Sequence, residues 1–95
     1  MNISEIRDGM LRVETEGVIK EISPSRKVTL RTGGEAEVAD MLISDGKASI
    51  KVNLWDDQIN EAKVGKTAKI VNGYTNSFRG EVRVNIGRYG TLAVE

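Results

Sequence analysis

The chain contains no cysteine and no histidine among its 95 residues, and this absence removes several classes of site. Disulfides, zinc sites built on thiolates or imidazoles, and Ser-His or Cys-His catalysis all need one of these two residues. The remaining residues do not assemble a nucleophile, a base and an oxyanion donor in any familiar pattern. We therefore predict a protein that is not an enzyme and that requires no metal and no other cofactor.

Long apolar runs are missing as well. No stretch approaches the ~20 apolar residues that a membrane-spanning helix needs, and no positively charged leader precedes an apolar segment near Met1. The sequence therefore predicts a cytoplasmic protein without a membrane partner. Its length is that of one domain, so we expect residues 1–95 to form a single folded unit.

Excess charge of one sign is absent, because 14 basic and 14 acidic residues cancel. Such a balance argues against a nucleic-acid binder held by bulk positive charge. The balance is uneven along the chain: residues 1–65 carry nine Lys and Arg against twelve Asp and Glu, and residues 66–95 carry five against two. The last third is thus net +3, which allows a local basic surface, although ordinary solvated charges explain the counts equally well.

Alternating apolar and polar residues predict about five strands. In the first strand, residues 10–22, the alternation changes phase at Gly17, which predicts a bulge and a bend there. A glycine pair, Gly33-Gly34, predicts a hairpin. The segments after the first strand are two β-prone pieces within 26–43 on either side of this glycine pair, a strand ending at Trp55, a short helix at 56–65, and strands at 66–75 and 81–94. This order is typical of the five-stranded OB-fold barrel, an all-β fold with one short helix between strands 3 and 4.

Aromatic residues are scarce, and three of the four do not follow the apolar pattern. Trp55 is out of phase with the apolar residues of its strand and shares a face with Lys51 and Asn53. Phe78 falls in the predicted turn at 76–80. Tyr74 ends its strand, and because it has the same parity as the apolar residues there, a partly buried position is an equal alternative. We expect the fourth ring, which is that of Tyr89, to seal the barrel.

Exposed rings beside cations suit single-stranded nucleic acid, whose bases stack on the rings while the cations meet its phosphates. Trp55, Tyr74 and Phe78 are the candidate stacking residues. The candidate phosphate and polar contacts are Arg79, Lys51, Arg83, Asn53, Asn85 and Arg31. The alternative for each ring is a structural role under the helix or at the edge of the core, and each cation alone is compatible with plain solvation.

The string "LWDDQI…VGKTAKIVNGYTNSFRGEVRVNIGRYGTL" resembles the second half of the OB domain in archaeal replication protein A and in the related simple single-stranded DNA-binding proteins. The shared features are a Trp closing strand 3, V-G before strand 4, N-[GA]-[YW] at its end, an F-[RK]-G turn and a G-R-x-G run. The opening "ISEIRDGM" with "EGVIKEI" resembles the start of the same family. The resemblance implies base stacking on Trp55, Tyr74 and Phe78 and a phosphate contact at Arg79.

Two positions depart from the family pattern. Many relatives have a D-x-T-G turn before strand 3, where this chain has Asp45, Gly46, Lys47 and Ala48. Some relatives place another aromatic residue at the position of Asn85, so the sequence offers no fourth stack there. An amide can instead form a hydrogen bond with the edge of a base.

The sequence thus predicts sequence-tolerant binding of single-stranded DNA in replication, repair or recombination, by a nucleoid-associated monomer or weak oligomer. An RNA-binding OB domain would use the same rings. A protein-interaction module of a larger replication protein A-like assembly is a third interpretation, because OB folds also bind protein partners and fold does not determine function. Other replication or repair proteins are further expected partners.

Overall fold

The structure is a computed structural model that describes residues 1–87 and 89–95. Within these residues, a 3₁₀ turn at Ile3–Glu5 precedes strands β1 (Val13–Ile22), β2 (Arg26–Thr29), β3 (Glu35–Ser44), β4 (Ser49–Trp55), helix α1 (Asp57–Glu61), and strands β5 (Thr67–Phe78), β6 (Glu81–Asn85) and β7 (Thr91–Val94). The strands therefore number seven rather than the predicted five. The 26–43 stretch divides at its hairpin, and the last predicted strand divides before β7. The helix lies where it was expected but is shorter than 56–65.

Hydrogen-bonded pairing joins five of the strands in a closed circuit. β1 pairs with β3, β3 with β4, β4 with β6, β6 with β5, and β5 again with β1. All of these pairs are antiparallel except β4 with β6, which is parallel. The remaining two strands lie outside this circuit, since β2 pairs with β3 and β7 with the first half of β5. The parallel pair matters for the site, because it places β4 beside β6 on one outer surface.

β1 serves two neighbours, and Gly17 lies where it passes from one to the other. Pairing with β5 ends at Val18, which is also where pairing with β3 begins. A Cβ on Gly17 would lie 2.9 Å from the backbone oxygen of Ser44 on β3, so the approach of the two strands requires glycine. The predicted bulge at Gly17 was wrong, because burial alternates without a break through that residue. The bulge lies beyond it, between Ile19 and Glu21.

A second bulge in β5 determines which side chains point outward. Asn72 has a φ of 59° and lies where β5 has one more residue than the facing part of β1. Before the bulge Ile70 is buried, and after it Gly73 and Thr75 are buried, so the inward parity changes by one. Tyr74 consequently points away from the core, although simple counting gave it the parity of Ile70.

The core is aliphatic. Its fully buried large side chains are Ile19, Met41, Ile43, Leu54, Ile70, Ile86, Val13, Val52 and Val84. Ile3 and Ile6 from the N-terminal segment and Ala62 after α1 pack against this cluster. Because these residues complete the core from outside the strands, no ring is needed there. The prediction that Tyr89 seals the interior was wrong, since its side chain is 80% exposed.

The turn between β3 and β4 is stabilised by Asp45. Its carboxylate accepts hydrogen bonds from the backbone N–H groups of Ala48, at 2.9 Å, and Lys47, at 3.0 Å. These two bonds favour the charged form and lower the pKa of Asp45. Its other oxygen accepts from the N–H of Ile3 at 3.3 Å, which ties the N-terminal segment to the turn. The departure from the family pattern at 45–48 therefore still gives a well-bonded turn.

Two features are absent from residues 1–87 and 89–95. No helix there is long and apolar enough to cross a membrane. Nor do three or more carboxylates come together there in a group that could hold a metal ion.

Candidate functional site

Alternate residues of β4, β6 and β5 form one surface, which we call the outer face. It consists of Lys51, Asn53 and Trp55 on β4, Glu81, Arg83 and Asn85 on β6, and Tyr74, Asn76 and Phe78 on β5. The pairing register sets these side chains in rows across the three strands: Asn85 lies between Asn53 and Tyr74, and Arg83 lies between Lys51 and Asn76. The predicted face of Lys51, Asn53 and Trp55 is confirmed, as is that of Glu81, Arg83 and Asn85.

Trp55 and Tyr74 both line one groove on this face. The groove has a volume of about 280 Å³ and is also lined by Gln58, Asn85 and Gly87. The two rings are 39% and 43% exposed. The backbone N–H of Trp55 donates to Oε1 of Gln58 at 3.0 Å, which links the end of β4 to the first turn of α1. A flat ligand can therefore reach both rings from the same groove.

Gly87 allows the Tyr74 ring to lie close to the backbone. Gly87 has a φ of 70°, and a Cβ built on it would lie 2.8 Å from Cε1 of the Tyr74 ring. Any side chain at this position would therefore push the ring out of the groove.

Phe78 is the last residue of β5. The sequence had placed it in a turn, and this prediction was wrong. The turn that follows consists of only Arg79 and Gly80, with φ values of 54° and 80°. Left-handed values at both central residues are typical of a tight two-residue hairpin. Phe78 is 59% exposed, and its ring has the guanidinium carbon of Arg79 at 5.2 Å and that of Arg83 at 5.9 Å from its centroid. The most exposed ring of the outer face is thus flanked by two cations.

Carboxylates neutralise two of the predicted phosphate contacts. Nη1 of Arg83 donates to Oδ1 of Asp40 at 3.1 Å, and both side chains are only 18% exposed. Oε1 of Glu81 lies 3.3 Å from Nζ of Lys51 and 3.5 Å from Nε of Arg83. Because β4 and β6 are neighbouring parallel strands, the carboxylate of Glu81 can form an ion pair with both cations. The centre of the outer face is therefore close to neutral, and a role of Lys51 and Arg83 in binding phosphates stays a prediction.

Three amide side chains connect the strands at the middle of the face. Nδ2 of Asn53 donates to Oδ1 of Asn85 at 2.7 Å, and Nδ2 of Asn85 donates to Oδ1 of Asn76 at 3.1 Å. Asn85 is 6% exposed, so most of its contacts are with protein. Sequence reasoning missed Asn76, as it missed Gln58, Glu81 and Asp40. Reading 76–80 as a turn concealed that Asn76 continues the outer face of β5.

Arg31 is the one predicted contact that the structure places apart from the outer face. It lies in the turn of the β2–β3 hairpin, beyond the pair formed by Thr29 and Glu35. Trp55 pairs with Val38 of β3, three residues further along the strand. At about 3.3 Å per residue, the last pair of the hairpin lies roughly 10 Å past the end of β4, and the turn that holds Arg31 lies beyond it. Arg31 can meet only a ligand that continues beyond the groove.

Comparison with known proteins points to one family. The family model described as "Single-stranded DNA binding protein Ssb-like, OB fold" matches residues 10–94. The single-stranded DNA binding protein Ssb of Saccharolobus solfataricus is 25% identical over 91 residues, which are 96% of this chain. The chain spans 61% of the length of that relative.

Solved structures show the same fold. The replication factor A related protein from Methanobacterium thermoautotrophicum superimposes with a TM-score of 0.81 at 22% identity, covering 100% of this chain and 89% of that one. The second OB-fold domain of replication protein A from Methanococcus maripaludis superimposes with a TM-score of 0.80 at 17% identity, covering 99% and 92%. The predicted all-β OB fold is confirmed, with seven strands in place of five.

Proposed function

The chain belongs to the Ssb-like, OB-fold family of single-stranded DNA binding proteins, and from this premise we propose that it binds single-stranded DNA on the outer face. Bases stack on Trp55, Tyr74 and Phe78, and Arg79 beside Phe78 contacts a phosphate. The observation that carries the proposal is the combination of an entirely aliphatic core with three exposed rings on one surface. Large rings normally contribute to the core, so their exposure together is typical of a ligand-binding surface.

Stacking explains why the binding would tolerate any sequence, because every base has a π-face. We propose that the protein covers exposed strands during replication, repair or recombination and is associated with the nucleoid. The similarity to a replication factor A related protein supports this assignment. Because binding requires no chemical step, the proposal assigns no enzymatic activity. It also includes a monomer or weak oligomer that acts alongside other replication or repair proteins.

Titration of the protein with an oligothymidine tests the proposal directly. Trp55 is the only tryptophan, so its fluorescence reports on the groove alone. We expect the emission to be quenched as bases stack on the indole, with a saturating curve at low salt. The absence of any change at high oligonucleotide concentration, checked by a second method such as anisotropy of a labelled strand, would contradict the proposal. Competition with an RNA of the same sequence separates a DNA-binding from an RNA-binding role.

The pairing of Lys51 and Arg83 with carboxylates predicts a weak dependence of affinity on salt. With one to three phosphate contacts, the slope of log K against log salt is about −0.7 to −2 for single strands. Each ion pair with Glu81 or Asp40 reduces the number of counterions that binding can displace. Dissociation constants measured between 50 and 400 mM salt check this prediction. A slope steeper than about −5, typical of eight or more contacts, would contradict the prediction.

A further inference from the structure

The amide chain on the outer face leaves one polar atom without a partner. Asn53 donates to Asn85 and Asn85 donates to Asn76, so both bonds run in the same direction. Oδ1 of Asn53 is buried and has no hydrogen-bond partner within residues 1–87 and 89–95. Leaving a buried acceptor without a hydrogen bond costs free energy. The observed direction of hydrogen bonding through the three amides is therefore no more stable than the opposite direction.

Reversing the direction of both hydrogen bonds among the three amides keeps the number of hydrogen bonds constant. The oxygen and nitrogen of an amide are nearly equal in size, so a half-turn of the terminal group exchanges acceptor and donor without changing the packing. If all three amides turn, Asn76 donates to Asn85 and Asn85 donates to the oxygen of Asn53. Two hydrogen bonds remain, the oxygen of Asn53 gains a partner, and its amide nitrogen takes the unpaired buried position, so each direction leaves one buried polar group without a bond. The exposed end, Asn76, then offers an oxygen outward where it previously offered its N–H groups.

The exposed end lies between two of the proposed stacking rings. Tyr74, Asn76 and Phe78 alternate along β5, so the backbone of residue 76 lies roughly 7 Å from the backbone of each aromatic residue. Asn76 is exposed, whereas Asn85 behind it is buried. A base stacked on either ring would therefore have Asn76 as its neighbour along the strand.

We propose that Asn53, Asn85 and Asn76 form a reversible amide relay and that Asn76 is the residue that contacts base edges. This inference rests on the proposed function. In one direction the relay presents a donor to the carbonyl of thymine or guanine, and in the other it presents an acceptor to the amino group of cytosine or adenine. The relay thus lets one site form a hydrogen bond with any base, so stacking need not be the sole source of sequence tolerance.

A carboxylate at the buried end of the relay fixes its direction. In Asn53→Asp, measured at pH 8.5 so that the new group is ionised, residue 53 can only accept, so Asn85 must donate to it and Asn76 must donate to Asn85. The oxygen of Asn76 then faces the DNA. We expect the ratio of affinities for oligodeoxycytidine over oligodeoxyuridine to rise about three- to tenfold relative to the unmodified protein, the effect of one hydrogen bond gained against one lost.

Asn85→Asp is the second variant, because an acceptor at the middle position forces Asn76 into the same orientation. Gln58→Glu is the matched control for charge. Gln58 lines the same groove outside the relay, and a carboxylate keeps the acceptor that the N–H of Trp55 uses. We expect Gln58→Glu to weaken binding of both oligonucleotides alike and to leave their ratio unchanged. Asn76→Ala, at an exposed position, is expected to weaken binding of both oligonucleotides by a similar factor.

The outcomes separate the relay from the proposed function. A ratio that stays constant in folded Asn53→Asp and Asn85→Asp overturns the relay, as does a ratio that changes equally in Gln58→Glu. If neither carboxylate variant folds, as judged by circular dichroism, unaltered affinity of Asn76→Ala for both oligonucleotides overturns it. An unmodified protein that binds neither oligonucleotide overturns the proposed function, and the relay with it.

Discussion

Replacing Trp55 by alanine is expected to weaken binding of an oligothymidine by about 1–3 kcal/mol, roughly five- to 150-fold. The indole lines the groove and is 39% exposed, so its removal takes away a stacking surface without opening a cavity in the core. The midpoint of thermal unfolding should therefore change little. Because the variant lacks its only tryptophan, affinity is measured from the anisotropy of a labelled strand.

Val71→Ala is the control for this measurement. Val71 is 37% exposed, close to the value for Trp55, but it lies in the first half of β5 and pairs with Thr91 of β7, away from the outer face. We expect its affinity to equal that of the unmodified protein. An equal loss in both variants would mean that general stability or apolar surface, and not stacking, determines the binding. Phe78→Ala should fall in the same range as Trp55→Ala.

Gly17→Ala is expected to lower the free energy of unfolding by about 1–3 kcal/mol. The added Cβ would meet the oxygen, carbon and nitrogen of Ser44 at 2.9, 3.0 and 3.1 Å. These are backbone atoms of a paired strand, so they cannot move aside as a flexible side chain would. Relief requires β1 and β3 to separate where they begin to pair. Urea unfolding followed by circular dichroism measures the loss.

Gly34→Ala provides the matched comparison. Gly34 lies in the β2–β3 hairpin without a positive φ, and the nearest atom to its added Cβ is Cδ1 of Leu30 at 3.9 Å. The chemical change is the same and the space is open, so the free energy of unfolding should change by less than about 0.5 kcal/mol. Equal destabilisation in the two variants would refute the steric explanation at Gly17.

The sequence was most informative where a strand is regular. In β4 the alternation is uninterrupted, so the outward orientation of Lys51, Asn53 and Trp55 followed from counting alone. In β5 counting failed after Asn72, whose left-handed backbone adds a residue and changes the parity of Tyr74. A bulge of this kind depends on how the strand fits its neighbour, which a local pattern does not contain.

The electrostatic environment of the candidate site was not predictable from the sequence. Lys51 and Glu81 are 30 residues apart, and they meet only because β4 and β6 are parallel neighbours. Asp40 reaches Arg83 from a third strand. Residue types and the family motif indicated which rings and cations to consider, and their roles in binding stay predictions. Which of those cations already have a partner depends on non-local strand pairing.

Under the proposed function, the ion pairs of the outer face also bear on the kinetics of DNA binding. Strong attraction between opposite charges accelerates encounter, and Asp40 and Glu81 cancel much of the field that would draw in a polyanion. Without such steering, association proceeds at ordinary rates of about 10⁵–10⁶ M⁻¹ s⁻¹. Affinity must then come from residence time, that is, from how long bases remain on the rings. A covering held mainly by stacking can exchange with incoming proteins without first overcoming a strong electrostatic hold on the strand.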